Sequence, residues 1–187
     1  MKKNFGVKNW MFPMPVLMIG TYNEDGTPDM MNAAWGGISY DDEITICLAN
    51  DHKTTENLKL KGALTISMGT KKYLKECDYF GLVSGAKEDK IKKANFHAIK
   101  APHVDAPMFT ELPLVIEGEV ISYDDNTCRL VVKIINVLAD ESILDSNGKV
   151  DPTLLEPIAY DPFNHKYLVV KEIVGSAFKD GVELLKK

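Results

Sequence analysis

Leu114–Tyr123 and Thr127–Ala139 are two long strand-forming runs separated only by Asp124-Asp125-Asn126. A three-residue polar turn can return a strand only antiparallel to its neighbour. Earlier in the chain, Val16–Tyr22 leads into Asn23-Glu24-Asp25-Gly26, and Asp-Gly is a strong hairpin signal. Its expected partner is Asp29–Trp35. Glu43–Ala49, Ala63–Met68 and Tyr167–Val170 are further strand candidates. Six or seven strands with antiparallel turn signals, and only two or three short helices, favour a closed or nearly closed antiparallel barrel over a doubly wound parallel sheet.

The helical segments are brief. Thr54–Lys61 is expected as a helix with Thr54 as N-cap and Gly62 as its stop. Lys71–Val83 carries Leu74, Cys77, Phe80 and Val83 at spacings of three, ending at Ser84-Gly85, where Gly85 fits a left-handed C-cap. Lys87–Ala94 is charged and reads as an exposed helical turn or two. Pro102, Pro107 and Pro113 break any pattern in Asn95–Pro113, which reads as a long surface loop with room for a short strand. Val150–Pro157 holds a helical turn, and Asp161–Asn164 is a loop. No Pro/Gly/Ser-rich linker divides the chain, so residues 1–187 are expected to form one domain.

Composition excludes several classes. A chain of 187 residues should bury roughly 70% of its unfolded surface and needs no disulfide or metal staple. A net charge of −5 argues against a nucleic-acid binder. No apolar run reaches the ~20 residues of a membrane span. Lys2 and Lys3 precede no apolar signal segment. Cys47, Cys77 and Cys128 are odd in number and widely spaced, which fits a reducing cytoplasm without a disulfide framework. His52, His97, His103 and His165 show no ligand spacing, so no metal site is expected. There is no Gly-x-Ser-x-Gly elbow, no Walker loop and no Gly-x-Gly-x-x-Gly.

Pro28–Asn57 carries the most chemistry. A strand ends in Asn32-Ala33-Ala34-Trp35-Gly36-Gly37, and another runs into Asn50-Asp51-His52-Lys53-Thr54-Thr55-Glu56-Asn57 at the start of a helix. Unpaired N–H groups at a helix start suit a phosphate, to which Lys53 adds charge and Thr54 and Thr55 add hydroxyls. The small residues before Trp35 let a flat ring approach the backbone. The plainer readings are a capped helix start with solvated charges and a strand ending under a buried Trp. Cys77 reads as a helix-face core residue rather than a nucleophile.

Taken in order, these segments resemble the flavin reductase-like family of FMN-binding split barrels, in particular its flavoredoxin-like branch. The resemblance runs from about Pro13 to Phe178. Besides the stretches above it is carried by Pro15-Val16, Asn23–Gly26, Asp78-Tyr79, Gly81, Val83-Ser84-Gly85, Asp89-Lys90, Asp105-Ala106-Pro107 and Leu144–Gly148. It implies a mainly β, six-stranded antiparallel Greek-key split barrel with a few short flanking helices, a homodimer, and FMN as cofactor.

By that resemblance Asn32, Ala33, Ala34 and Trp35 line the isoalloxazine ring. Ala49, Asn50, Lys53, Thr54, Thr55 and Asn57 hold the ribityl chain and phosphate. Ser84, Gly85 and Lys90 complete the pocket, and Phe163 or Tyr160 comes over the flavin. The implied function is electron transfer through FMN from NAD(P)H or a redox protein. A flavoredoxin-type carrier without NAD(P)H activity and a non-catalytic FMN-binding module are the alternatives. The chemistry would be the flavin's, so no catalytic side chain is assigned. Two departures stand out. This chain has His52-Lys53 where many relatives have an Arg or a small polar residue, and Thr127, followed shortly by Arg129, where relatives often carry a His.

Overall fold

The computed structural model describes residues 1–186. Its strands are β1 (Met14–Pro15), β2 (Leu17–Tyr22), β3 (Pro28–Ala33), β4 (Gly36–Tyr40), β5 (Glu43–Cys47), β6 (Ala63–Met68), β7 (Ala98–Lys100), β8 (Pro107–Phe109), β9 (Leu114–Asp124), β10 (Arg129–Ala139), β11 (Ile158–Asp161) and β12 (Lys166–Val169). Its α-helices are α1 (Lys53–Lys61), α2 (Leu74–Leu82), α3 (Lys90–Ala94) and α4 (Pro152–Leu155).

Seven strands form one antiparallel sheet in the order β3-β2-β6-β9-β10-β5-β4. Its two edge strands, β3 and β4, are consecutive in sequence and separated only by Ala34-Trp35. A sheet whose opposite edges are joined by two residues has to curl upon itself. The fold is thus the expected mainly β, antiparallel split barrel. The count of seven against six arises because β3 and β4 are two halves of one stretch, bent at Ala34-Trp35.

Alternation sets the inside of the barrel. Leu17 and Ile19, Ile44 and Ile46, Leu64 and Ile66, and Leu130 and Val132 are fully or nearly fully buried in one cluster, two apart on each strand. The opposite face of β2 and β3 is buried as well. Met18 and Met30 pack there against Cys77 and Phe80 of α2, Ile91 of α3, Phe96 and Phe109. Such two-sided burial explains why β2 reads as an almost unbroken apolar run.

Four expectations are corrected. Asn95–Pro113 is not a surface loop. It forms the β7–β8 hairpin, burying Phe96, Ala101, Val104, Ala106 and Phe109. Gly20 is where it docks, since a Cβ there would stand 2.8 Å from the Pro107 carbonyl and 2.9 Å from the Phe109 ring. Thr54 is not an N-cap, because α1 starts at Lys53 behind His52, which makes no side-chain capping bond. Gly85 is not left-handed, because α2 ends at Val83 in extended backbone. Finally, α3 is not solvated throughout: Lys90 and Ile91 are buried. Gly62 closes α1 at φ 67°, as its position suggested.

A small sheet, β1-β11-β12, lies beside the barrel opening. Met14 pairs with Tyr160, and Tyr160 with Tyr167, so this sheet brings two phenols to the bend between β3 and β4. No helix among the described residues is long and apolar enough to cross a membrane.

Candidate cofactor-binding site

The bend at Ala34-Trp35 faces an apolar cavity of about 240 Å³. Met31 through Trp35 form one wall, Cys47, Leu48 and His52 another, and Tyr160 and Tyr167 a third. Trp35 is half exposed, and its ring lies 6.4 Å from that of Tyr160. Its carbonyl accepts from the Cys47 N–H at 2.7 Å, which fixes the bend against β5. Asn32 is anchored from below, its amide donating to the Cys77 carbonyl at 2.7 Å.

A second cavity of about 420 Å³ shares Met31, Asn32 and His52 with the first. Its walls are the start of α1 (Asp51 to Thr54), the end of α2, Ser84-Gly85, Lys87 and Lys90. The first amide bond of α1 is Glu56 N–H to the His52 carbonyl, so the N–H groups before it have no partner within the helix. With no capping side chain, that partly positive end faces the cavity beside Lys53 and Lys87. A slot for a flat apolar ring therefore continues into a cationic end for an anionic tail.

The candidate residues divide accordingly. Asn32, Ala33, Ala34 and Trp35 line the apolar cavity; Lys53, Thr54, Ser84, Gly85 and Lys90 line the polar one. The remaining five lie outside both. Thr55 donates to the Ala49 carbonyl at 2.8 Å, closing the turn that contains exposed Asn50. Asn57 is fully buried and donates to Thr21 and Asn23 at 3.1 and 2.9 Å, tying α1 to the β2–β3 hairpin. Phe163 packs on Trp10 and Phe12, at 5.5 and 6.1 Å between rings. Tyr160 reaches the cavity instead. Thr127 and Arg129 line a third trough, which shares Ala34, Trp35 and Cys47 with the apolar cavity.

Sequence reasoning passed over Asp29, Met31, Cys47, Lys87 and Tyr167 as site residues. Lys87 sits in a charged run, and Tyr167 in a strand whose partner β11 carries no strand signal of its own in the sequence. Burial, and donation of its hydroxyl to Asp78 at 2.8 Å, push the Tyr167 phenol up to about 12, so it stays protonated across the neutral range. Burial likewise pushes the Cys77 thiol up to about 11, which leaves it inert. Among the described residues no three His, Cys, Asp or Glu side chains converge as a metal site would need.

Comparison with known proteins identifies the family and the fold. The model of the flavin reductase like domain family matches residues 9–160. The flavoredoxin of Desulfovibrio vulgaris (Miyazaki F) is 33% identical, covers 97% of this chain and 100% of its own, and superposes with a TM-score of 0.93. The flavoredoxin from Methanosarcina acetivorans is 26% identical over 98% of this chain and 100% of its own, with a TM-score of 0.86. Nitrilotriacetate monooxygenase component B from Bacillus cereus, 16% identical, shares the fold over 89% of this chain and 88% of its own, at a TM-score of 0.76. Comparison with curated protein sequences finds no match.

Proposed function

Because the chain belongs to the flavin reductase like domain family, we propose that it binds FMN in the joined cavities and passes electrons through it. The observation that carries this reading is the continuity of the apolar slot at Asn32–Trp35 with the cationic end at α1. The bound flavin would supply the redox chemistry; the protein binds, orients and shields it. Ala33 and Ala34 leave room for a ring against the backbone, and Trp35 and Tyr160 flank it. The open N–H groups of α1, Lys53, Lys87 and Ser84 offer donors and charge to the phosphate.

Electrons would come from NAD(P)H or from a redox protein. The full-length likeness to two flavoredoxins gives weight to the second source and to a carrier role. A homodimer is part of the proposal: Trp35, Ile38 and Tyr40 are 48%, 67% and 68% exposed beside one another, an apolar patch suited to a second copy. Three free thiols fit residence in the reducing cytoplasm.

The test is an absorption spectrum of the purified protein with added FMN, then with NADH or NADPH without oxygen. Retained flavin bands that bleach with either nucleotide support a reductase. Retained bands that bleach only with dithionite, and recover on adding a redox protein, support a carrier. Failure to retain FMN removes the reading.

A further inference from the structure

Asp29 lies at the base of the polar cavity and is only 3% exposed. Three segments from different parts of the chain converge on its carboxylate. Thr54 of α1 donates its hydroxyl to Oδ2 at 3.2 Å. The Lys90 ammonium of α3 stands 3.2 Å from Oδ1 and donates to the Met30 carbonyl at 2.5 Å. Gly85 passes so close to Oδ1 that a Cβ built there would collide with it.

Donor bookkeeping gives this cluster a consequence. A hydroxyl has one proton, and Thr54 has given it to Asp29. An ammonium has three, of which Lys90 gives one to Met30 while its charge is paired with Asp29. Two groups that face the cavity as phosphate donors are therefore engaged by a buried carboxylate. That carboxylate also sets a negative charge beside the place a phosphate would take, itself −1.5 to −2 at neutral pH.

We propose that Asp29 is a specificity-determining residue that competes with the ligand's phosphate for the Thr54 proton and the Lys90 charge. It ties together the segments that carry Thr54, Gly85 and Lys90, and it keeps the preference for phosphorylated over unphosphorylated flavin below what these donors would otherwise give. This rests on the FMN reading above. It separates two roles that one lysine could combine: Lys87, and Lys53 whose partner Glu56 is exposed, attract the phosphate, while Lys90 is balanced by a buried carboxylate.

The experiment titrates FMN and riboflavin into the full chain and into Asp29→Asn. Asparagine keeps the shape and an acceptor oxygen but removes the charge. FMN affinity is expected to rise about tenfold, the worth of one charge-assisted hydrogen bond. Riboflavin affinity should stay within about twofold, and the melting temperature without flavin should fall. A role in structure alone would weaken both flavins together, and that result, or an unchanged ratio, overturns the proposal. Adding Lys90→Gln should abolish the gain; equal FMN affinity in the single and double variants overturns it. Should Asp29→Asn not fold, Thr54→Val in the otherwise natural chain decides. Its FMN-to-riboflavin ratio should stay within about twofold of the natural chain's, because Asp29 wins the competition for that proton there; a tenfold fall overturns the proposal. A natural chain that binds neither flavin removes the proposed function, and this inference with it.

Discussion

His103 grips Glu117 with two hydrogen bonds, its backbone N–H reaching Oε1 at 2.8 Å and its ring Nδ1 reaching Oε2 at 2.7 Å. Asn136 adds a third at 2.8 Å. An ionised carboxylate only accepts, so Nδ1 carries the proton. The pair ties the β7–β8 connection to the buried side of β9. Burial pushes the Glu117 carboxyl up, but the backbone bond from His103, the Asn136 bond and the ring bond together outweigh it and hold it below the usual range. A depressed carboxyl contributes stability that is full above its unfolded value, about 4.3, and is lost as pH falls through the lower folded value. Urea unfolding from pH 6 to pH 3 should show this loss in the natural chain and a flatter profile in Glu117→Gln. At pH 7, Glu117→Ala should cost about 2–3 kcal/mol.

Gly85→Ala sets a methyl group against a carboxylate that cannot move without releasing Thr54 and Lys90. We expect a loss of about 1–3 kcal/mol by overpacking, seen as a lower thermal midpoint. Replacing Asp29 by Asn in the same chain should not restore it, because the added methyl meets side-chain atoms of the same size. Recovery of the midpoint would mean that charge, not space, is what Gly85 respects.

Trp35 is half exposed, so its truncation removes little of the core. Trp35→Ala should shift the melting temperature by no more than about 3 °C. It should weaken FMN binding about tenfold, the scale of one aromatic stacking contact. Flavin fluorescence titration measures the second effect and calorimetry the first.

Among the thiols, Cys47 is exposed on the cavity wall, Cys128 is half-buried and Cys77 is fully buried. A maleimide should modify Cys47 first and leave Cys77 for last. Bound FMN should slow the Cys47 reaction and leave Cys128 unaffected, as read by mass spectrometry of digested protein. Equal protection of both would point to a general tightening rather than to a ligand over Cys47.

Much of the fold was legible because its determinants are local. Ala63–Met68 was bounded correctly by Gly62, whose left-handed backbone few other residues would tolerate. The β9–β10 hairpin announced itself through length and turn chemistry. The β7–β8 hairpin did not: its prolines erase alternation, and its buried residues are selected by the barrel wall at Gly20. Nor did β11, whose partner β1 is a pair of residues near the other end of the chain. The same division holds at the site. Asn32–Trp35 and the entry to α1 could be read from neighbouring residues. Asp29 could not, because everything that makes it unusual arrives from Thr54, Gly85 and Lys90.

The bend at Ala34-Trp35 also bears on the order of folding events. The β2–β3, β4–β5 and β9–β10 hairpins join near neighbours and can form early, whereas β6 meets β9 only after the long α2-to-β8 insertion has been laid down. Non-local pairings of this kind are the slow ones. The seam between the sheet edges cannot close until they exist, so the groove along it is assembled late. A ligand seated there grips contacts absent from the transition state. It would act as a brake on opening, lengthening the lifetime of the native barrel while leaving the rate of its formation almost untouched.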